Sequence, residues 1–142
     1  MTTQANGTFT VKVQPLPEDE KVPGVKVGRL SIDKVWMGDI VGTSKGEMMT
    51  GGTEVKGSAG YVAIETMIVS VKGRQGTFTL MHHATMKQGG DFKMLINVIP
   101  DSGTGQLVGL AGALTIIIED GKHSYTFDYT VPEGTDEPEV LS

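Results

Sequence analysis

The chain contains no cysteine and no long apolar run, and both absences narrow what it can be. Without cysteine there is no disulfide framework, no thiolate nucleophile and no cysteine-based zinc site. No apolar run approaches the ~20 residues that a membrane-spanning helix needs, and the opening MTTQANGTF lacks the basic and apolar parts of a secretion signal. A basic stripe with interleaved aromatic residues, which nucleic-acid binders use, is also missing. We therefore expect a soluble, cytoplasmic protein that binds neither nucleic acid nor membranes.

Acidic residues outnumber basic ones, and much of the excess lies at the C-terminus. The net charge of the 142-residue chain is −5. The segment EGTDEPEVLS, residues 133–142, is acidic and has no basic side chain. Such a composition is typical of a frayed, solvated chain end. We predict one domain over residues 1–132 and a flexible acidic tail over residues 133–142.

Glycine, in contrast, is abundant, and one glycine-rich run raises the question of a phosphate site. The run is DSGTGQLVGLAG, residues 101–112. A phosphate-binding loop must open a helix, whose N-terminal N–H groups hold the anion. Here the continuation ALTIIIEDG favours a strand because it is rich in isoleucine and threonine. We predict instead a connection that packs across one end of a barrel, between a strand ending at Ile99 and one beginning near Ala113.

Period-two patterns run through the chain and predict strands. In HSYTFDYTV, His123, Tyr125, Phe127, Tyr129 and Val131 share one face, which is the pattern of a half-buried strand. TFTVKV and GTFTLMHHATM alternate in the same way. YVAIETMIVSV, FKMLINVI and ALTIII fit strands that are apolar on both sides.

Turn signals separate these segments. EDGK predicts a type I′ hairpin, since Asp-Gly supplies the positive φ that this turn requires. KGRQG predicts a second hairpin, and SIDKVWMGDIVGTSKGEMM predicts two strands that bend near Gly38-Asp39. The sum is about eight strands and no helical periodicity, which indicates an all-β fold, either an antiparallel barrel or a two-sheet sandwich. A barrel of about eight strands can just enclose one small ligand.

A resemblance favours the barrel. VIPDSGTGQLVGLAG resembles the signature of a bacterial family of unknown function that is similar to the allene oxide cyclase-like barrels. Matching pieces follow the same order along the chain: GTFTV, GDIVGTSKGEM, YVAIE, GRQGTFTLMH and HSYTFDYTV. The resemblance implies an eight-stranded antiparallel barrel, allene oxide cyclase-like, that assembles as a homo-oligomer. It implies no activity, and extending the cyclases' isomerisation of an oxidised fatty-acid intermediate to this chain is fold-level analogy.

Three positions depart from the pattern of that family. Met81 stands where glutamine is common, and Ala84 and Val69 stand where glycine is expected. Inward-pointing side chains at these positions imply a smaller and more apolar cavity than in relatives. Natural drift and deliberate redesign of the cavity both explain such changes, and the sequence does not separate them.

Two residues are candidates for catalysis. His82 shares a face with Phe78 and Leu80, so its imidazole can point into the barrel and orient a ligand or move a proton. The alternative is a core histidine that is hydrogen-bonded to a neighbour. Glu65 lies in the middle of YVAIETM; pointing inward, it would have a pKa raised by desolvation and could act as an acid or base. Pointing outward, it would be a solvated surface residue.

Five further residues are candidates for ligand binding. Ser44 and Met48 share one face of a strand, Tyr125 and Tyr129 lie on the apolar face of the last strand, and Trp36 can be in the core, at the rim or in an oligomer contact. A tyrosine hydroxyl needs a partner when buried, which a ligand carbonyl or the core itself can supply.

The function predicted from these features is the binding of a small apolar or amphipathic molecule in the central cavity. The alternative is an isomerase or cyclase in which His82 or Glu65 transfers a proton. A second alternative is a filled barrel with a structural or interaction role. We expect no cofactor and no metal, because a metal site needs several convergent ligands and the three histidines are scattered.

Overall fold

The computed structural model of the chain describes residues 2–17 and 26–132, which form a closed barrel of eight antiparallel strands. The predicted all-β barrel is therefore confirmed. The strands are β1 Thr3–Pro15, β2 Lys26–Gly38, β3 Ile40–Gly52, β4 Ala59–Val71, β5 Arg74–Lys87, β6 Asp91–Val98, β7 Ala111–Glu119 and β8 Lys122–Thr130. No helix in these two ranges is long and apolar enough to cross a membrane. The predicted acidic tail, residues 133–142, lies outside the described residues.

Alternation of side chains decides which residues fill the barrel. In β8, Tyr125, Phe127 and Tyr129 are buried inside. In β4, which is apolar on both faces, every second residue from Ala63 to Val71 is buried. The residues between them include Ile64 and Ile68, which remain 47% and 60% exposed on the outer surface. The structure thus resolves the orientation of β4, which its sequence pattern leaves open.

Both predicted hairpins are present, and the turn of the second lies at Lys72-Gly73, just before the predicted position between Gly73 and Gly76. Asp120 and Gly121, between β7 and β8, have φ values of 51° and 75°. Lys72 and Gly73, between β4 and β5, have φ values of 47° and 88°. Positive φ at both central residues is the mark of the type I′ turn, whose twist matches that of the flanking strands.

The glycine-rich connection closes one end of the barrel, as predicted. It runs from the end of β6 at Val98 to the start of β7 at Ala111, and its Leu107 and Leu110 are fully buried. The amide of Thr104 donates to the carbonyl of Thr77 on β5 at 2.8 Å. The connection is therefore hydrogen-bonded to the rim of the barrel. Its two leucine side chains fill the interior at this end, which we call the plugged end.

The opposite end, which carries the β3–β4, β5–β6 and β7–β8 turns, is more open. Five side chains near it continue the inward-facing rows and are only partly buried: Val11, Met48, Tyr61, Met94 and Ile116. The interior thus changes from fully buried at the plugged end to partly exposed at this end, which we call the open end.

The ladders between neighbouring strands differ in length. The β3–β4 ladder is continuous from Ile40 opposite Val71 to Gly52 opposite Ala59. Between β6 and β7, in contrast, Asn97 opposite Ala113 is the single paired position in the described chain. The two strands therefore meet at a loose seam.

Two tyrosines of β8, both candidates for ligand binding, lie deep in the core. The hydroxyl of Tyr125 accepts a hydrogen bond from the Ile40 amide at 2.8 Å and donates to the Met37 carbonyl at 3.0 Å. It therefore fastens β8 to the turn between β2 and β3. The hydroxyl of Tyr129 is also buried but has no hydrogen-bond partner among the described residues.

Because only one of the two hydroxyls has partners, we predict that replacing tyrosine by phenylalanine has different effects at positions 125 and 129. Tyr125→Phe leaves the Ile40 amide buried without a partner, so we expect it to lower the free energy of unfolding by about 1–3 kcal/mol. Tyr129→Phe removes an unpaired buried hydroxyl and should be neutral or slightly stabilising. Urea unfolding with an unchanged m value measures both. Equal losses in the two variants would contradict the assignment.

Candidate functional site

Four polar side chains are buried inside the otherwise apolar barrel, one on each of four consecutive strands. They are 0–6% exposed and are Lys34 on β2, Ser44 on β3, Glu65 on β4 and His82 on β5. The register brings them together, since Lys34 lies opposite Ser44 across the β2–β3 ladder. We call these four residues the charged cluster.

The carboxylate of Glu65 is the centre of the charged cluster. Its Oε1 accepts from the ammonium of Lys34 at 3.0 Å and lies 2.8 Å from Nε2 of His82. Its Oε2 accepts from the hydroxyl of Ser44, which in turn accepts from the indole N–H of Trp36 at 2.9 Å. Both carboxylate oxygens are therefore bound from neighbouring strands.

A glycine makes room for this carboxylate. Gly46 lies opposite Glu65 in the β3–β4 ladder. A Cβ atom at position 46 would collide with the carbonyl oxygen of Ile64 and lie 2.8 Å from the Cα of Glu65. Glycine at this position therefore avoids an overlap with the β4 backbone beside Glu65.

Electrostatics keep Glu65 ionised despite its burial. Burial by itself raises the pKa of this carboxyl, but the hydrogen bond with His82, the charge of Lys34 and the hydrogen bond from Ser44 together lower its pKa to about 2. The sequence-based expectation that an inward Glu65 has a raised pKa is therefore wrong in direction. The reason is that its partners outweigh desolvation.

The ammonium of Lys34 has hydrogen-bonding capacity to spare. It lies over two aromatic rings, 4.8 Å from the centroid of Phe9 and 5.3 Å from that of Trp36, where the negative ring faces stabilise its charge. An ammonium has three N–H donors. Glu65 is the one oxygen acceptor that contacts Lys34 in the described structure, so the two other N–H groups have no oxygen partner there.

Tyr61 adds a hydroxyl near the charged cluster, on its open side. Its ring centroid is 6.5 Å from that of His82, and the residue is only partly buried. Burial, and secondarily the charge of Glu65, raise the pKa of Tyr61. The phenol therefore keeps its proton at neutral pH and can donate a hydrogen bond.

The structure brings together some of the residues that the sequence suggested. Four of them meet in or next to the charged cluster: His82, Glu65, Ser44 and Trp36. Met48 lies towards the open end, whereas Tyr125 and Tyr129 make no contact with the Glu65 carboxylate. Lys34, Phe9 and Tyr61 were not predicted as site residues. The available signal was that Lys34 shares a period-two face with Trp36.

Of the three residues that depart from the family pattern, two point into the barrel and one points outward. Val69 and Ala84 are buried inside, so their side chains occupy interior space that glycine would leave free. Met81 lies on the outer surface and is 47% exposed, so it does not narrow the interior.

The lowered pKa of Glu65 predicts a specific acid sensitivity. Because the folded pKa of about 2 lies below the ordinary 4.5, the ionised carboxylate stabilises the fold above pH 4.5, and this contribution is lost as the pH falls towards 2. Glu65→Gln lacks the contribution, so the difference in unfolding free energy between it and the wild type should shrink by roughly 3 kcal/mol over this window. Urea unfolding at several pH values measures the difference. A matched control is Glu47→Gln, which removes an exposed carboxylate paired with Arg29 and should show a much smaller change; a constant difference for Glu65→Gln would refute the prediction.

Comparison with known proteins agrees with this architecture. The model of the family "Protein of unknown function (DUF3224)" matches residues 5–129. The chain is also similar to a protein of unknown function from the same family, from Shewanella oneidensis MR-1, whose crystal structure is known: the two are 41% identical, with a TM-score of 0.87, over 93% of this chain and 99% of the other. No functionally curated protein is significantly similar. The chain therefore belongs to the DUF3224 family of proteins of unknown function.

Proposed function

We propose that the barrel binds a small amphipathic molecule that enters at the open end. Its apolar part would lie against the partly buried side chains of Met48, Tyr61 and Met94. Its polar end would carry a carboxylate or carbonyl oxygen and accept hydrogen bonds from Lys34. The single observation that carries this proposal is the buried ammonium of Lys34 with two unused donors.

The cost of burying charge supports a functional reason for the charged cluster. Replacing a buried ion pair by well-packed apolar residues is often neutral or stabilising. Most of the interior around Lys34 and Glu65 is apolar, so aliphatic residues would fit the same place without a desolvation cost. A buried carboxylate with a perturbed pKa, such as Glu65, is typical of functional sites.

The position of the charged cluster also suits a ligand. It lies beneath the partly exposed residues of the open end, and the interior beyond it is filled by aromatic and leucine side chains. Ligand sites commonly combine an apolar wall with a few polar groups that fix orientation. Met48 and Met94 would give the wall adaptability, because methionine is unbranched and polarisable. If the barrel is allene oxide cyclase-like, as the sequence resemblance implies, a ligand-holding interior would follow as fold-level analogy.

Decanoate is a suitable probe, since it joins an apolar chain to a carboxylate. We expect wild-type protein to bind it, and Lys34→Met to weaken binding roughly 10- to 100-fold, because a hydrogen bond to a charged group contributes about 1.5–3 kcal/mol. Isothermal titration calorimetry measures the dissociation constants. The matched control is Lys45→Met, which removes an exposed lysine paired with Asp33 on the outer surface and should leave binding unchanged.

A second variant covers the case in which Lys34→Met does not fold. Met48→Trp adds bulk at the open end without altering the charged cluster, so it should block decanoate while the protein remains folded by circular dichroism. Binding that is equally tight in both variants and the wild type would rule out this site. A folded wild-type protein that binds no decanoate would favour the filled barrel instead.

A further inference from the structure

The charged cluster fixes where the proton of His82 lies. Because Glu65 is ionised, its carboxylate can only accept hydrogen bonds, so Nε2 of His82 must be the donor at 2.8 Å. In a neutral imidazole the other nitrogen, Nδ1, then carries a lone pair. This nitrogen has no hydrogen-bond partner within the described ranges, which leaves it free to accept a proton. A carboxylate that orients an imidazole in this way is a common arrangement for a general base.

A cation lies beside this base. Lys34 and His82 both contact the same oxygen, Oε1 of Glu65, at 3.0 Å and 2.8 Å. The ammonium of Lys34 and the imidazole ring of His82 therefore lie side by side, with Nε2 of His82 at the shared oxygen and Nδ1 on the other side of the ring. A base and a neighbouring cation are the two groups needed to remove a proton from carbon next to a carbonyl group.

We infer that the barrel catalyses proton transfer at a carbon next to the carbonyl group of an amphipathic ketone, with His82 as the base and Lys34 as the partner of the oxygen. The inference rests on the proposed binding function and assigns a reaction class to the same site. It requires no cofactor and no redox partner.

The step balances in atoms and charge. The C–H bond breaks, an N–H bond forms at Nδ1 of His82, and the electron pair forms a carbon–carbon double bond while the carbonyl oxygen becomes negative. Lys34 holds that oxygen, and the ionised Glu65 stabilises the imidazolium. The imidazolium then returns the proton to the same carbon, which gives exchange with solvent, or to a conjugated carbon, which shifts a double bond.

Ser44 and Trp36 are positioning residues in this scheme. Ser44 donates to Oε2 of Glu65 and accepts from Trp36, so the carboxylate is held in one orientation towards His82. Glu65 itself is a poor base, because its low pKa makes its lone pairs weakly basic. Both oxygens of Glu65 are already hydrogen-bonded within the charged cluster, whereas Nδ1 of His82 has no partner in the described ranges, so His82 is the base of the two acid–base candidates.

Hydrogen exchange of a simple ketone tests the inference. In deuterated buffer, wild-type protein should speed the loss of the α-proton NMR signals of 4-phenylbutan-2-one above the rate in buffer alone. His82→Gln can still donate a hydrogen bond to Glu65, but the exchange rate that the protein catalyses should fall about 100-fold or more. The matched control is His83→Gln, because His83 is the next residue on β5 but lies exposed on the outer surface.

Measuring decanoate binding beside ketone exchange distinguishes a failure of this inference from a failure of the proposed function. If decanoate binds and also suppresses the exchange, both proposals are supported. If decanoate binds but the ketone does not exchange, or if His82→Gln and His83→Gln exchange it equally fast, the catalytic inference is overturned and binding stands. If neither decanoate nor the ketone interacts with folded protein, both proposals are overturned.

Discussion

The buried carboxylate of Glu65 constrains the register of four strands and is also the centre of the candidate site. It lies on β4 and is contacted by Lys34 from β2, Ser44 from β3 and His82 from β5. A buried charge is tolerated only when its partners are in place, so these four strands must keep one register for the fold to be stable. A slip of one residue would turn Glu65 to the outside and leave Lys34 buried alone. The arrangement that forms the candidate site thus also specifies the register of these four strands.

Local patterns explain how much of the fold the sequence predicts. Asp120-Gly121 specifies its turn through its own backbone preferences, and the strand alternation of β8 is visible over nine residues. In β4, however, Val62 and Ile64 on the outside are as apolar as the residues inside, so the sequence pattern alone could not orient Glu65. The strands themselves could be predicted. Which face of a doubly apolar strand points into the barrel depends on the strands beside it, and the pattern of the strand alone does not show it.

The candidate site was less predictable because its interactions are remote in sequence. Glu65 is 31 residues from Lys34, 21 from Ser44 and 17 from His82, so nothing local reveals that three donors offset its desolvation. Lysine in a strand is usually solvated, and Lys34 was therefore overlooked although it shares a face with Trp36. Tyr125 shows the opposite case, since its hydroxyl is occupied by backbone groups 85 and 88 residues away. In each case the missing information is the identity of a distant partner.

The loose seam between β6 and β7 gives the barrel a mechanical asymmetry. With Asn97 opposite Ala113 as its one paired position in the described chain, the molecule resembles a curled sheet whose first and last strands touch, running from β7 through β8 and β1 to β6. Separating these two strands breaks few hydrogen bonds, so local opening should begin there. The strands β2 to β5, which carry the charged cluster, lie away from the seam. Local opening at the seam would therefore leave the strands that hold the charged cluster paired with one another.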